Sequence, residues 1–409
     1  MNRHTIFLSK YIFTLVFFIL SSCTKEYQDP SRATEDVVFS SAKGLTGVAV
    51  GLQRVYTAGR ASSLFNSVTA NGFVTNELLL VNPGNIPELQ LSTGGQTIDG
   101  TNTVLGGLWS SSNKIIYDAN QVISNAANLP DKSYASGLIA YSTIFKALAL
   151  GNLAMFWEQV PAQVGDDVTF VPRVEGFNMA IAAINEAQAV MEANPISPAF
   201  LSSIPPGVDI PNTLSALKAR YALFAGDNQL ALTAANSVDL PVKSTFNFDA
   251  VTLNPIFEVA TSTNNVFQPL NEQLGLTGSL QPDPGDQRIP FYTSINATIQ
   301  PRVRINGFGS AGNTQWPIYL PGEIMLIKAE AYTRLGDLDL ALVELNRVIT
   351  KTPTSDPFGV GAALPRLTGP LDESALLQQI FKQRAIELFM SGLRLEDMRR
   401  LGRPESERK

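Results

Sequence analysis

Small and apolar residues recur at helical spacing over residues 37–56, 109–129, 135–157 and 176–192, and again as a pair of runs across 212–238. The breaks between these stretches are Pro- and Gly-rich loops rather than strand-like alternation, which predicts a mainly α-helical protein whose helices face a common core. Two regions lack the pattern. Residues 70–107 read as loop-rich. Residues 241–320 turn irregular, rich in Asn, Thr, Gly and Pro, with Phe246, Phe248, Phe257, Phe267, Phe291, Tyr292, Phe308, Trp316 and Tyr319 interspersed. Unpatterned segments of that length in a compact protein are as a rule functional or disordered.

Residues 323–353 are the most informative helical stretch. Met325, Ala329, Tyr332, Gly336, Ala341, Leu345 and Pro353 fall at the spacings of a tetratricopeptide helix-turn-helix, with small residues where two helices approach and Gly336 at the turn. Ala219, Gly226, Ala231 and Ala235 repeat the spacing, and Ala149 and Gly151 are expected to pair with the helix of Ala180 and Ile184. The repeats are not in tandem, so an ordinary solenoid is excluded. The expectation is one domain over 34–409: a tetratricopeptide-like helix-pair scaffold, 34–240 and 321–409, with a loop-rich, irregular insert, 241–320, carrying the ligand site. Trp109 and Trp157, within helical stretches, are expected in the core.

The chain opens with Arg3 and Lys10, an apolar run over 11–20 and the exit Leu20-Ser21-Ser22-Cys23. A basic region, a short hydrophobic core and a small-residue exit read as a secretory signal over 1–22. The run is roughly half the ~20 apolar residues a membrane-spanning helix needs. Cys23 stands where lipoprotein signals are cut, and as the only cysteine it has no internal disulfide partner. It is the expected lipidation site, and the polar residues 23–33 read as a tether between lipid anchor and folded body.

Loss of Arg3 and Lys10 with the signal leaves 28 basic against 36 acidic residues, a net charge of −8. With no basic stripe, nucleic acid is not expected as a partner. His4 is the only histidine and also leaves with the signal. Ser-His-Asp and Cys-His nucleophile systems and His-based metal sites are thereby excluded. Phosphate-binding and dinucleotide-binding glycine motifs and a spaced EF-hand loop are missing, so no cofactor and no metal are expected. Asp166-Asp167 reads as a solvated acidic pair.

Near the C-terminus, Arg384, Glu387, Gly392, Arg394, Asp397 and Arg400 follow one another in a pattern that resembles the signature of the SusD/RagB family. Gln383, Ser391 and Leu395 stand where that family usually has Glu, Glu and an aromatic residue. Trp109 with Tyr117 and Ala119-Asn120, Ala219-Arg220, Asp286-Gln287-Arg288 and Ala329-Glu330-Ala331-Tyr332 also resemble family elements. The six signature residues are expected to be structural, Arg384 pairing with Glu387 and Arg394 with Asp397 at i,i+3 spacing. Family members usually continue into a Pro- and Asn-rich tail beyond the point corresponding to Lys409, so a longer C-terminus is an expectation.

The resemblance implies an outer-membrane lipoprotein, facing the cell exterior, that binds a glycan or peptide nutrient without catalysis. It would hand the ligand to a TonB-dependent barrel transporter of the SusC type. Sugar recognition calls for aromatic faces with amide and charged hydrogen-bonding partners. The candidates in the insert are Trp316, Tyr292, Phe308 and Tyr319, with Asn313 and Arg288 as polar partners, and Asn71 and Asn76 as a second wall. Two other classes stay open: a tetratricopeptide-like protein-interaction scaffold without a small-ligand site, and a calcium-assisted glycosidase, which requires a carboxylate pair that nothing marks out.

Overall fold

The computed structural model describes residues 38–165 and 167–402. The signal 1–22, Cys23, the tether and Asp166 lie outside the described residues. Helices dominate, and most begin where an Asn, Asp or Ser side chain can satisfy the free N–H groups of a first turn. Helices α1 (Ala42–Thr57), α2 (Ser63–Val74), α4 (Thr103–Ala126) and α5 (Lys132–Phe156) are capped by Ser41, Ser62, Asn102 and Asp131. Between α2 and α4 lie strand β1 (Leu78–Leu80) and helix α3 (Ile86–Thr93). The hairpin of β2 (Gln159–Pro161) and β3 (Phe170–Pro172) leads into α6 (Arg173–Ala193). After the single turn α7 (Pro198–Leu201), Asp209 and Asp227 cap α8 (Ile210–Ala225) and α9 (Asn228–Asn236).

Helix α5 is long and apolar enough to cross a membrane, yet 94% of its most apolar window is buried, because it is the central helix against which α1, α4, α6 and α8 pack. Gly151 in α5 sits under the Tyr221 ring, where a Cβ would come within 2.3 Å of the hydroxyl. Gly226 and Gly336 end their helices in left-handed conformations, φ 87° and 89°, closing the pairs α8–α9 and α11 (Pro321–Leu335)–α12 (Leu338–Thr350). Both helix-turn-helix pairs thus lie where the small-residue spacing puts them.

The stretch 70–107 departs from expectation, since it holds the end of α2, then β1 and α3. Every residue of α2 from Ser63 to Phe73 is buried. A helix covered on all sides carries no amphipathic period.

The insert is irregular as expected, pinned by short antiparallel ladders. β4 (Thr245–Phe246) pairs with β8 (Trp316–Pro317), and β5 (Phe267–Pro269) pairs with β1. The one-turn helix α10 (Arg288–Tyr292) continues into β6 (Thr293–Ile295), which pairs with β7 (Val303–Ile305). One apolar cluster runs from Leu45 to Met398 and takes in Phe246, Phe267, Tyr292, Trp316 and Tyr319 of the insert. A second, smaller cluster lies among α11, α12 and α13 (Glu373–Glu387). Gly392, at φ 80°, then turns the chain into α14 (Arg394–Arg400).

Candidate functional site

The insert's aromatic residues converge because the β4–β8 ladder places Trp316 opposite Phe246, at the point where the chain turns into α11. Phe308, in a tight turn after β7, meets Phe291 at 5.2 Å, Tyr292 and Trp316 at 6.2 Å and Phe358 at 6.1 Å between ring centroids. Asn254 holds that turn in place. Its Nδ2 donates to the carbonyls of Phe308 and Thr314 at 2.8 and 2.9 Å, while its Oδ1 accepts from the N–H of Ile256 and Phe257. Sequence reasoning missed Asn254, whose only local signal is an amide immediately before Pro255.

Tyr292, Phe308, Trp316 and Tyr319 line one cavity of about 60 Å³ beneath the turn at Gly392. By size this is a site for a few waters rather than a sugar ring. Two polar atoms on its wall, Asn152 Nδ2 and Ser391 Oγ, are buried without a hydrogen-bond partner among the described residues. Arg220 and Glu323 close another side as a two-pronged ion pair at 2.6 and 2.7 Å. Burial pushes the Tyr56 hydroxyl up to about 12, although the Arg220 guanidinium acts to lower it.

The structure therefore gathers the four aromatic candidates, but places three of them inside. Tyr292, Trp316 and Tyr319 are only 3%, 6% and 2% exposed. The Tyr292 hydroxyl donates to the Glu387 carbonyl at 2.5 Å, and that of Tyr319 to the Val242 carbonyl at 3.1 Å. Phe308 is half-buried and Asn313 exposed at the outer edge of the same loop. Arg288 is fully buried, bound to Asp286 at 2.7 Å, Gln383 at 2.6 Å and Glu387 at 3.2 Å. Asn71 is fully buried in α2, and half-buried Asn76 occupies a left-handed turn, φ 62°, against Gly275. As folded, Arg288 and Asn71 have no surface to offer a ligand.

The signature residues form a buried ionic layer beneath this cavity, with partners other than those expected. Arg384 reaches across the Gly392 turn to Asp397 at 2.9 Å, instead of pairing with Glu387. Asp397 also accepts from Arg400, which in turn binds Glu330. Glu387 takes Arg288 on one oxygen and Lys351 on the other, the latter at 2.5 Å. Arg394 donates to the Leu274 carbonyl at 2.9 Å. Arg384 and Glu387 share α13, but the turn at Gly392 brings Asp397 of α14 back against Arg384, while Arg288 and Lys351 from distant segments take the two oxygens of Glu387.

Trp109 and Trp157 also differ from expectation. They are half-buried, and their rings meet at 5.0 Å and 66°. Phe170, 53% exposed, lies nearly parallel to Trp109 at 6.4 Å and 16°.

Residues 256–409 match the SusD family. Comparison with curated proteins gives no match. Among solved structures, the fold is similar to a SusD-like carbohydrate binding protein from Bacteroides vulgatus, with a TM-score of 0.70, 16% identity and coverage of 88% of this chain and 83% of that one. A SusD-like carbohydrate binding protein from Bacteroides fragilis gives 0.67, 14%, 89% and 87%. A SusD superfamily protein from Bacteroides thetaiotaomicron gives 0.64, 15%, 87% and 88%.

Proposed function

Given that this chain belongs to the SusD family, we propose that it is a surface-exposed outer-membrane lipoprotein that binds a glycan and delivers it, unaltered, to a TonB-dependent transporter. The observation that carries the reading is the family match over 256–409 together with a fold shared, along almost nine tenths of the chain, with proteins described as SusD-like and carbohydrate binding. Lipid attachment at Cys23 and a single folded unit over 34–409 belong to the same proposal.

Exposed apolar residues at the end of α11 and on the first turns of α12 favour a protein partner as well. Leu335 is 42% exposed, and Leu340 and Val343, which share a face of α12 at i,i+3, are 48% and 56% exposed. In this reading the partner is the barrel. Within the insert, Phe308 and Asn313 are the candidates with surface to offer.

The test is a screen of the purified protein against polysaccharides, oligosaccharides and peptides by affinity electrophoresis and calorimetry, with chromatography of the ligand afterwards. Saturable binding to a glycan with no shortened products is expected. Binding to peptides alone, release of products, or no binding to any glycan would overturn it.

A further inference from the structure

Phe170 stands out on the described surface. Of the large hydrophobic side chains that are exposed, all are aliphatic except Tyr117 and Phe170, at 41% and 53%. Both belong to one region. Phe170 stacks on Trp109, and Tyr117 lies eight residues further along the same helix, α4, about 12 Å away at 1.5 Å per residue. Trp157, at the C-terminus of α5, turns its ring steeply to that of Trp109, so the rings form a floor and a side wall.

Two neutral amides, Asn113 and Gln159, stand near these rings. Asn113, one turn after Trp109, donates its Nδ2 to the Trp109 carbonyl at 3.0 Å, which holds the amide against the turn of α4 that carries the indole. In the β2–β3 register Pro161 opposes Phe170 and Gln159 opposes Pro172. Opposed residues and i,i+2 neighbours share a face of a ladder, so exposed Gln159 lies on the Phe170 side of the hairpin. An aromatic floor with amides at its edge suits a ligand with apolar C–H faces and a rim of hydroxyls. It suits an aliphatic protein surface less well, because amide donors and acceptors would be buried unpaired.

We propose that Trp109, Trp157 and Phe170, extended by Tyr117 and flanked by Asn113 and Gln159, form a stacking platform for a neutral oligosaccharide, separate from the insert. The proposal rests on the glycan-binding reading above and gives it a place. Two of the three tryptophans stand on the platform, whereas Trp316 is buried, so occupancy should change the indole emission and shield it from acrylamide.

The experiment titrates the full protein with maltohexaose, cellohexaose, xylohexaose, laminarihexaose, mannohexaose and inulin, following tryptophan emission and calorimetric heat. Phe170→Ala and Tyr117→Ala alter exposed side chains, and Phe170→Trp restores a ring. With a glycan that the wild type binds, the proposal expects an emission change, at least about a tenfold loss of affinity in Phe170→Ala, a smaller loss in Tyr117→Ala, and recovery in Phe170→Trp. If both alanine variants bind within twofold of wild type and acrylamide quenching is unchanged by ligand, the platform is overturned while glycan binding stands. If Phe170→Ala keeps glycan affinity but no longer associates with the transporter, the patch is a protein contact and the proposal fails. If the wild type binds none of the six probes nor any glycan of the wider screen, the reading beneath it fails too.

Discussion

Among single residues, Glu77 has the most unusual environment. It is buried just after α2, accepting from the Met390 N–H at 3.4 Å and the Thr75 hydroxyl at 3.5 Å. Burial raises its carboxyl from 4.5 to about 7, against the lowering effects of Arg394, the Met390 N–H and Thr75. The folded protein therefore keeps this proton up to about pH 7, whereas the unfolded chain gives it up near 4.5. The contribution to stability is fully present below 4.5 and is lost as pH rises through 7, amounting to about 3 kcal/mol for a shift of that size. Glu77→Gln should match wild type near pH 4.5 and exceed it by up to that amount at pH 8. Urea unfolding at both pH values reads the difference; equal midpoints for the two proteins at pH 8 would refute the assignment. Glu330 works in the opposite sense. Burial would raise its carboxyl, but Arg400, Arg384 and Arg334 outweigh that and hold it at about 2. Its contribution is present above 4.5 and is lost as pH falls through 2, so it governs the acid limb instead.

At the scale of elements, glycines in two settings make opposite predictions. Gly336 closes the α11–α12 turn at φ 89°, and a Cβ there would meet nothing within 4 Å, so the cost of Gly336→Ala is backbone strain alone, about 1–2 kcal/mol. Gly47, inside α1, is equally unobstructed but helical, and Gly47→Ala should stabilise by roughly 0.5–1 kcal/mol. Thermal unfolding of the pair checks both signs. The helix pairs were legible because small residues and turn glycines keep their spacing wherever two helices must touch. Helix α2 was not, since burial on every side erases the polar face that periodicity needs. The ionic layer was half legible: the spacing of Arg384, Glu387, Arg394 and Asp397 marks the turn, but partners such as Arg288 and Lys351 come from distant segments. Glu387→Ala would take one of two carboxylates from each of Arg288 and Lys351, which keep Asp286 and Asp356, and a loss of about 1.5–3 kcal/mol is expected in denaturant titration.

For the whole molecule, the insert is the instructive case. Its aromatic richness was visible in the sequence, and the structure does bring Tyr292, Phe308, Trp316 and Tyr319 to one place, yet composition alone does not separate a ring that stacks on a ligand from one that fills a core. Shared packing separates them. Trp316 lies in the same apolar cluster as Leu45, Tyr141 and Phe389, and Arg220 of the first scaffold half grips Glu323 of the second across the segment that Trp316 ends. The insert should accordingly unfold with the scaffold rather than ahead of it. With Trp109 and Trp157 replaced by Phe, Trp316 becomes the sole indole and reports the insert, while far-ultraviolet circular dichroism reports the helices. The two transitions are expected to coincide, and Trp316→Ala in the otherwise unaltered chain should shift the dichroism transition by about 3–5 kcal/mol. An emission change completed before helix is lost would make the insert a separately folding unit, and would reopen its aromatic residues to a ligand by local opening.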